Sequence, residues 1–272
     1  MKKPKTLCGR VAMVTGAASG IGRALAHQLA EKGCHLALVD RDTAQLSETL
    51  ASLVQYNVRL SAHALDVAER GALAELPRQV FTKHRRLDIL INNAGVAVGG
   101  AFEEVSETDF DWLFEINFGA VVRLTRACLP LLKQSDDASL VNMSSLFGLI
   151  APPGQVAYCA SKFAVRGFSM ALAHELADSA IDVMVAHPGG VATAIAQHAR
   201  MPVGMSLERQ EIQAARAQKF LRLSPDIAAR AIVEAMIGRK RRVLVGTDAR
   251  VLALLERLLP VRYWGLLDRF AV

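Results

Sequence analysis

A doubly wound α/β fold, one parallel sheet with helices on both faces, is predicted here by three observations. Short runs rich in Val, Ile and Leu alternate with helical patterns almost from end to end. The runs are continuously apolar, as strands buried on both faces must be. A glycine turn that opens a helix follows the first run directly. In order, "RVAMVT" leads to a helix over residues 21–32 closed by Gly33, and "HLALVD" leads to a helix opened by the capping pattern Asp42-Thr-Ala-Gln45. "RLSAHAL" precedes a helix over 68–83, and "LDILIN" precedes helical segments over 106–133. "ASLVNM" precedes the helix that carries Tyr158 and Lys162, "IDVMVA" forms a sixth strand, and "RVLVG" a seventh. In such folds ligands sit beyond the carboxyl ends of the strands, so functional residues should follow each run.

The chain's 272 residues suit one large domain, and no Pro/Gly/Ser-rich linker divides them. Apolar residues at 52% and charged residues at 21% exclude disorder. Cys8, Cys34, Cys128 and Cys159 lack both metal spacing and the density of a disulfide scaffold, which points to free thiols in the cytoplasm. The histidines are scattered, so no metal is expected. The basic start passes into the first strand and does not read as a signal peptide, and no window has the length of a membrane span. Of the net charge of +6, much lies in Arg239–Val272, with eight basic residues against three acidic. Its "RKRR" has no interleaved aromatics and no nucleic-acid motif, and reads as a solvated helix end.

"TGAASGIG" supplies the glycine turn. Gly16, Gly20 and Gly22 allow close backbone approach, and with Ser19 and Ile21 they present a helix N-terminus to a pyrophosphate. Asp40 ends the second run where a carboxylate would hold ribose hydroxyls and repel a 2′-phosphate, while Arg41 would accept that phosphate. NAD is favoured and NADP is the alternative. Asp66 reads either as an adenine contact or, with Glu69, as a capping box. "NNAG", including Asn93, Ala94 and Gly95, follows the fourth run at the ligand edge. Ser144 and Ser145 end the fifth, and "PGGVAT", with Pro188, Gly189 and Thr193, ends the sixth; Thr193 there can bind a nicotinamide carboxamide.

Tyr158 and Lys162 are four residues apart and share one helical face. A free phenol ionises near pH 10, and a neighbouring ammonium lowers that value, giving a group able to exchange a proton with an alcohol or carbonyl oxygen. Cys159 beside them reads as a small packing residue.

Together these residues resemble the short-chain dehydrogenase/reductase family over roughly residues 10–246, a Rossmann-type fold. The match rests on T-G-x-x-x-G-x-G at Thr15 to Gly22, N-N-A-G at Asn92 to Gly95, and Y-x-x-x-K at Tyr158 to Lys162. The family spacing of thirteen residues from serine to tyrosine selects Ser145 over Ser144. The resemblance implies Tyr158 as general acid or base, Lys162 as its tuner and a ribose ligand, Ser145 as the group orienting the reacting oxygen, and Asn117 as holder of a relay water. It also implies adenosine contacts from Asp66, Val67 and Asn93, and carboxamide contacts from Val191 and Thr193.

Residues 1–246 are thus expected to form the catalytic domain, with a substrate lid at about 194–223. Met201 and Met205 in that lid hint at a hydrophobic alcohol or ketone. Residues 247–272 form a C-terminal amphipathic extension, with Val251, Leu254, Leu255, Leu258 and Leu259 at helical spacing. Packing within a homodimer or homotetramer is its first reading, and weak peripheral contact with an anionic membrane is another. The functional expectation is an NAD(P)-dependent alcohol dehydrogenase or carbonyl reductase. The rival readings are a catalytically silent nucleotide-binding scaffold on the same fold and an isomerase or dehydratase using bound NAD.

Overall fold

The computed structural model describes residues 3–270. Seven strands form one parallel sheet in the order β3-β2-β1-β4-β5-β6-β7. They are β1 Val11–Thr15, β2 His35–Asp40, β3 Leu60–Ala64, β4 Ile89–Asn92, β5 Ala138–Met143, β6 Ile181–Pro188 and β7 Arg242–Val245. Chain order reverses between β1 and β4, which opens a crevice at the carboxyl edge. Register sets Thr15 opposite Val39, Asn92 opposite Asn142, and Pro188 opposite Val245, so the motifs after β1, β2, β4, β5 and β6 emerge along one rim.

Ten α-helices among the described residues cover the faces: α1 Gly20–Glu31, α2 Thr43–Leu53, α3 Arg70–His84, α4 Glu107–Phe114, α5 Ala120–Leu132, α6 Val156–Glu175, α7 Leu207–Phe220, α8 Pro225–Ile237, α9 Thr247–Leu258 and α10 Tyr263–Phe270. Strand alternation divides the core in two. Ala12, Val14, Leu36 and Leu38 pack with Leu25 and Leu29 of α1 and Ile232 and Met236 of α8. Val11, Met13, Ala37 and Val39 pack on the other face with Leu73 and Leu76 of α3 and Leu124 and Cys128 of α5. Both layers are continuously apolar, which is why the strands read as unbroken runs.

Three local expectations are corrected. The third helix begins at Arg70, and Asp66 does not form a capping box: its Oδ1 accepts from Ala68 N at 2.9 Å, closing a turn before the helix. The helical stretch after β4 is interrupted by a π-helical turn over Glu115–Gly119. Arg239 is no solvated helix end, since its guanidinium lies 2.8 Å from Asp137 and also pairs with Asp182. In α9, Val251, Leu254 and Leu258 are exposed, open to the intersubunit or membrane contact expected of the stripe, while Ala249 and Leu252 face the core. Gly33, at φ +74°, closes α1 as expected. All four cysteines are free thiols, and no described helix is long and apolar enough to cross a membrane.

Candidate active site

The loop from β1 to α1 is built by close approach. A Cβ on Gly22 would lie 1.8 Å from the Gly16 carbonyl oxygen, and one on Gly16 would meet Asn93 and Ala94 at about 3 Å. Asn93 Nδ2 donates to the carbonyls of Thr15 and Gly16, at 2.9 and 3.2 Å, and Thr15 Oγ1 accepts from the amides of Asn93 and Ala94. The "NNAG" segment therefore buttresses the glycine turn from the neighbouring strand. Ser19 caps α1 without a side-chain bond and the first turn holds no acidic residue, so no internal anion competes for this N-terminus. Ile21 is half-buried against the core behind the turn.

Beside it, Asp40 is fixed by two backbone donors: Ala18 N reaches Oδ2 at 2.9 Å and Asp42 N reaches Oδ1 at 3.0 Å. Arg41 turns toward Asp66, with 3.5 Å between their charged atoms. Val67 is buried in the adjoining core. The turn after β6 reaches the same place, since a Cβ on Gly20 would sit 3.0 Å from Thr193 Cγ2. Val191, buried in that turn, donates its amide to Gly189. These residues fit a dinucleotide: a flat glycine turn under an uncapped helix end, a held carboxylate for ribose, and a second turn closing on the first.

At the centre of the rim, α6 presents Tyr158 and Lys162 on one face. Tyr158 is half-buried, and burial pushes its phenol up to about 12, a rise that the polar Ser145 side chain opposes. The sequence led us to expect a lowered phenol, and in this chain alone burial wins because Lys162 does not bond the phenol. Its Nζ instead donates to the Met143 carbonyl at 3.2 Å and lies 5.5 Å from the Tyr158 ring centre. Lys162 is 4% exposed, and burial pushes its ammonium down to about 8. Gly95 gives it room: a Cβ there would stand 3.4 Å from Nζ and 3.2 Å from Asn117 Oδ1.

Ser145 Oγ accepts from Phe147 N at 3.1 Å, which leaves its proton for the phenol or a substrate oxygen. Ser144 turns inward, donating to the Lys162 carbonyl at 2.8 Å. His187, wholly buried on β6, donates from Nδ1 to the Ser145 carbonyl at 2.9 Å, and burial pushes it down to about 4, so it is neutral. Asn117 sits in the π turn, a distortion frequent at functional sites. Its side chain is committed to protein, with Oδ1 accepting from Val96 N at 2.8 Å and Nδ2 donating to Val96 O and Ser161 Oγ. Both Nδ2 protons are thus used, and a water contact there would fall to the remaining oxygen lone pair or the backbone. Cys159 is buried, which pushes its thiol up to about 11, as suits a packing residue.

Sequence reading missed several participants. Arg200 clasps the 97–112 region: its backbone pairs with Ala97 and Gly99, its guanidinium lies 3.5 Å from the Trp112 ring centre, and it bonds Asp109 at 2.8 Å. Asp248 and Tyr263 reach the rim from the tail, at Gly190 and Ala151 respectively. Their contacts are remote in sequence, and the paired glycines 189–190 were the one available signal.

Residues 10–203 match the short-chain dehydrogenase family. SadH of Mycobacterium tuberculosis, which carries an oxidoreductase's name, is 41% identical over 94% of this chain and 92% of its own. A Burkholderia phymatum short-chain dehydrogenase/reductase crystallised with NAD superposes with a TM-score of 0.88 at 28% identity, covering 94% of this chain and 95% of that one. A metagenomic short-chain oxidoreductase in complex with NADP gives 0.72 at 28% identity, over 89% and 98%. These matches define the class as nicotinamide-dependent oxidoreductases. The chain belongs to the short-chain dehydrogenase/reductase family, and its cofactor is a nicotinamide dinucleotide, NAD or NADP.

Proposed function

We propose that this protein interconverts a hydrophobic secondary alcohol and its ketone, with Tyr158 as the proton-transferring group. The observation that carries this reading is the half-buried phenol with the buried Lys162 ammonium on the same helical face, 5.5 Å from its ring centre, and the Ser145 hydroxyl at the end of the neighbouring strand. When bound, the nicotinamide supplies the two-electron step by taking or giving a hydride. For oxidation, Tyr158 Oη accepts the alcohol proton as the carbonyl forms, and Ser145 Oγ–H orients the reacting oxygen; for reduction, the proton returns from Oη. A phenol near 12 is a poor base at neutral pH, so turnover requires the Lys162 ammonium to come closer to Oη than the 5.5 Å it keeps from the ring centre here.

The turns at 16–22 and 188–193 would hold the pyrophosphate and the carboxamide, the latter through Val191 and Thr193, while Asp66 and Val67 would line the adenosine side. Asp40 favours NAD: its carboxylate, fixed by two amides, would meet a 2′-phosphate with like charge, and Arg41 is turned to Asp66. Residues 194–223 act as the substrate lid, running from the turn after β6 through the Arg200 clasp and α7, with Met205 buried. The test is a panel of hydrophobic alcohols and ketones followed at about 340 nm, where reduced nicotinamides absorb, with NAD and NADP in parallel. Turnover of a member of the panel, faster with NAD and lost in Tyr158→Phe while NADH still binds, is the expected result. Turnover unchanged in Tyr158→Phe would overturn the assignment.

A further inference from the structure

The tail helices α9 and α10 lie beyond every motif of the candidate site, yet α9 bonds the turn after β6 and α10 bonds the segment that follows Ser145. Asp248, in the first turn of α9, accepts from Gly190 N at 2.7 Å. The approach is close enough that a Cβ on Gly189 would lie 2.2 Å from either carboxylate oxygen, and one on Gly246 would lie 2.4 Å from Oδ1. Gly246 also stands at φ +100°, a conformation that only glycine takes easily. Gly190 lies in the turn leading to Val191 and Thr193. Its carbonyl accepts from Arg222 and Leu223, and Gly189 N donates to Val245. The Asp248 carboxylate supplies a charged acceptor for the amide of that turn.

On the other flank, Tyr263 of α10 accepts at its hydroxyl from Ala151 N at 2.9 Å. Tyr263 and Leu252 pack with Phe147 against Leu146, Ile150 and Ala249. Phe147 meets Tyr158 edge-to-face at 6.1 Å and donates its amide to Ser145 Oγ. The tail therefore grips the segment following Ser145 as well as the turn following β6.

We infer that the C-terminal helical pair is a two-point brace, with Asp248 positioning the turn that receives the nicotinamide end of the cofactor and Tyr263 positioning the wall that receives the substrate. Asp248 and Tyr263 are positioning residues; neither touches the reacting groups. The inference rests on the assignment of Val191, Thr193 and Ser145 made above for the reaction centre. A purely structural acid at the start of α9 would act through its charge on the helix dipole, whereas the brace needs an acceptor oxygen at this place. Asparagine keeps the oxygen and drops the charge, which separates the two.

The experiment uses the full chain and its Asp248→Ala, Asp248→Asn and Tyr263→Phe variants. NADH affinity is read by fluorescence titration, backbone protection at 149–153 and 188–193 by hydrogen exchange, and KM for an alcohol from the panel by turnover. The first two need no catalysis, so a chain that oxidises nothing in the panel would sink the proposed reaction and still test the brace. Asp248→Ala should weaken NADH about tenfold, as loss of a hydrogen bond to a charged group does, and speed exchange at 188–193 alone. Asp248→Asn should bind within about twofold of the parent. Tyr263→Phe should leave NADH affinity unchanged, speed exchange at 149–153, and raise the alcohol KM several-fold with kcat within about twofold. Wild-type NADH affinity in Asp248→Ala, equal weakening in Asp248→Asn, or a Tyr263→Phe chain whose two segments loosen alike would each overturn the inference.

Discussion

At opposite edges of one sheet, two lysines are buried almost equally and are treated differently. Lys5, 6% exposed, lies where the strands begin and is matched by Asp137 at 2.5 Å and Asp182 at 2.9 Å, with Arg239 joining both carboxylates. Close by, Asp88 is wholly buried and accepts from Arg86, Ser135 and Val11 N. Although burial raises its carboxyl, those donors hold it below the usual range. Lys162, 4% exposed where the strands end, has a carbonyl as its hydrogen-bond acceptor, and no ion pair is found for it among the described residues. One edge is electrostatically closed. The other keeps a buried cation uncompensated, beside a phenol it would favour in ionised form. Such unrelieved cost is the mark of a site organised for chemistry.

The contrast can be broken most sharply at Tyr158. Replacing it with phenylalanine should cut alcohol oxidation by roughly a hundred- to ten-thousandfold, the span of general acid–base catalysis, with NADH affinity held within about twofold. At the closed edge, Asp88→Ala should lower unfolding free energy by about 1–3 kcal/mol, since it leaves the buried Val11 amide and Ser135 hydroxyl short of an acceptor while Arg10 keeps Asp136; urea denaturation reads this. The two lysines should answer a methionine substitution with opposite signs. Lys5→Met should destabilise by leaving two carboxylates short of a partner. Lys162→Met should stabilise by about 3 kcal/mol at neutral pH, the free energy of moving an amine from its ordinary value to about 8, and should abolish turnover. The sign follows from linkage: the folded chain holds this proton less tightly than the unfolded one, so wild-type stability rises as pH climbs from about 8 toward 10.5.

A smaller effect lies at the β3 edge. There Ser61 Oγ bonds both His63 and His84, and His84 is 2% exposed. Burial, with help from Arg59, His35 and His63, pushes His84 down to about 4. Its folded pKa is depressed, so stability present above about 6.5 should be lost as pH falls toward 4, by up to about 3 kcal/mol. His84→Gln should flatten that acid limb. The mildest prediction concerns cofactor choice: Asp40→Ala should narrow the NAD preference by about tenfold or less, measured as the ratio of kcat/KM for the two cofactors, as expected for one hydrogen-bonded carboxylate.

The strands were readable because burial on both faces makes each an unbroken apolar run, and the rim motifs because each glycine or hydroxyl follows its run directly. Three features were not readable, for distinct reasons. The π turn at Glu115–Gly119 adds width to a helix without altering its composition, and it shows only in where Asn117 points. Pairings such as Arg239 with Asp137, Asp248 with Gly190 and Tyr263 with Ala151 join residues 58 to 112 apart in the chain, a distance no local pattern spans. The raised phenol was not readable because four-residue spacing gives a shared face and nothing about burial, which sets its state in the chain alone. Arg41 was legible as an acceptor for a 2′-phosphate beside Asp40, but its 3.5 Å approach to Asp66, 25 residues on, was not.

The uncompensated cation at the catalytic edge is measured most directly by titrating Lys162 itself, with carbon-13 at the lysine Cε and Lys162→Met to assign its resonance. A midpoint near 8 is predicted. A midpoint at the ordinary lysine value, about 10.4, would show the ammonium to be solvated or paired, and would contradict the account.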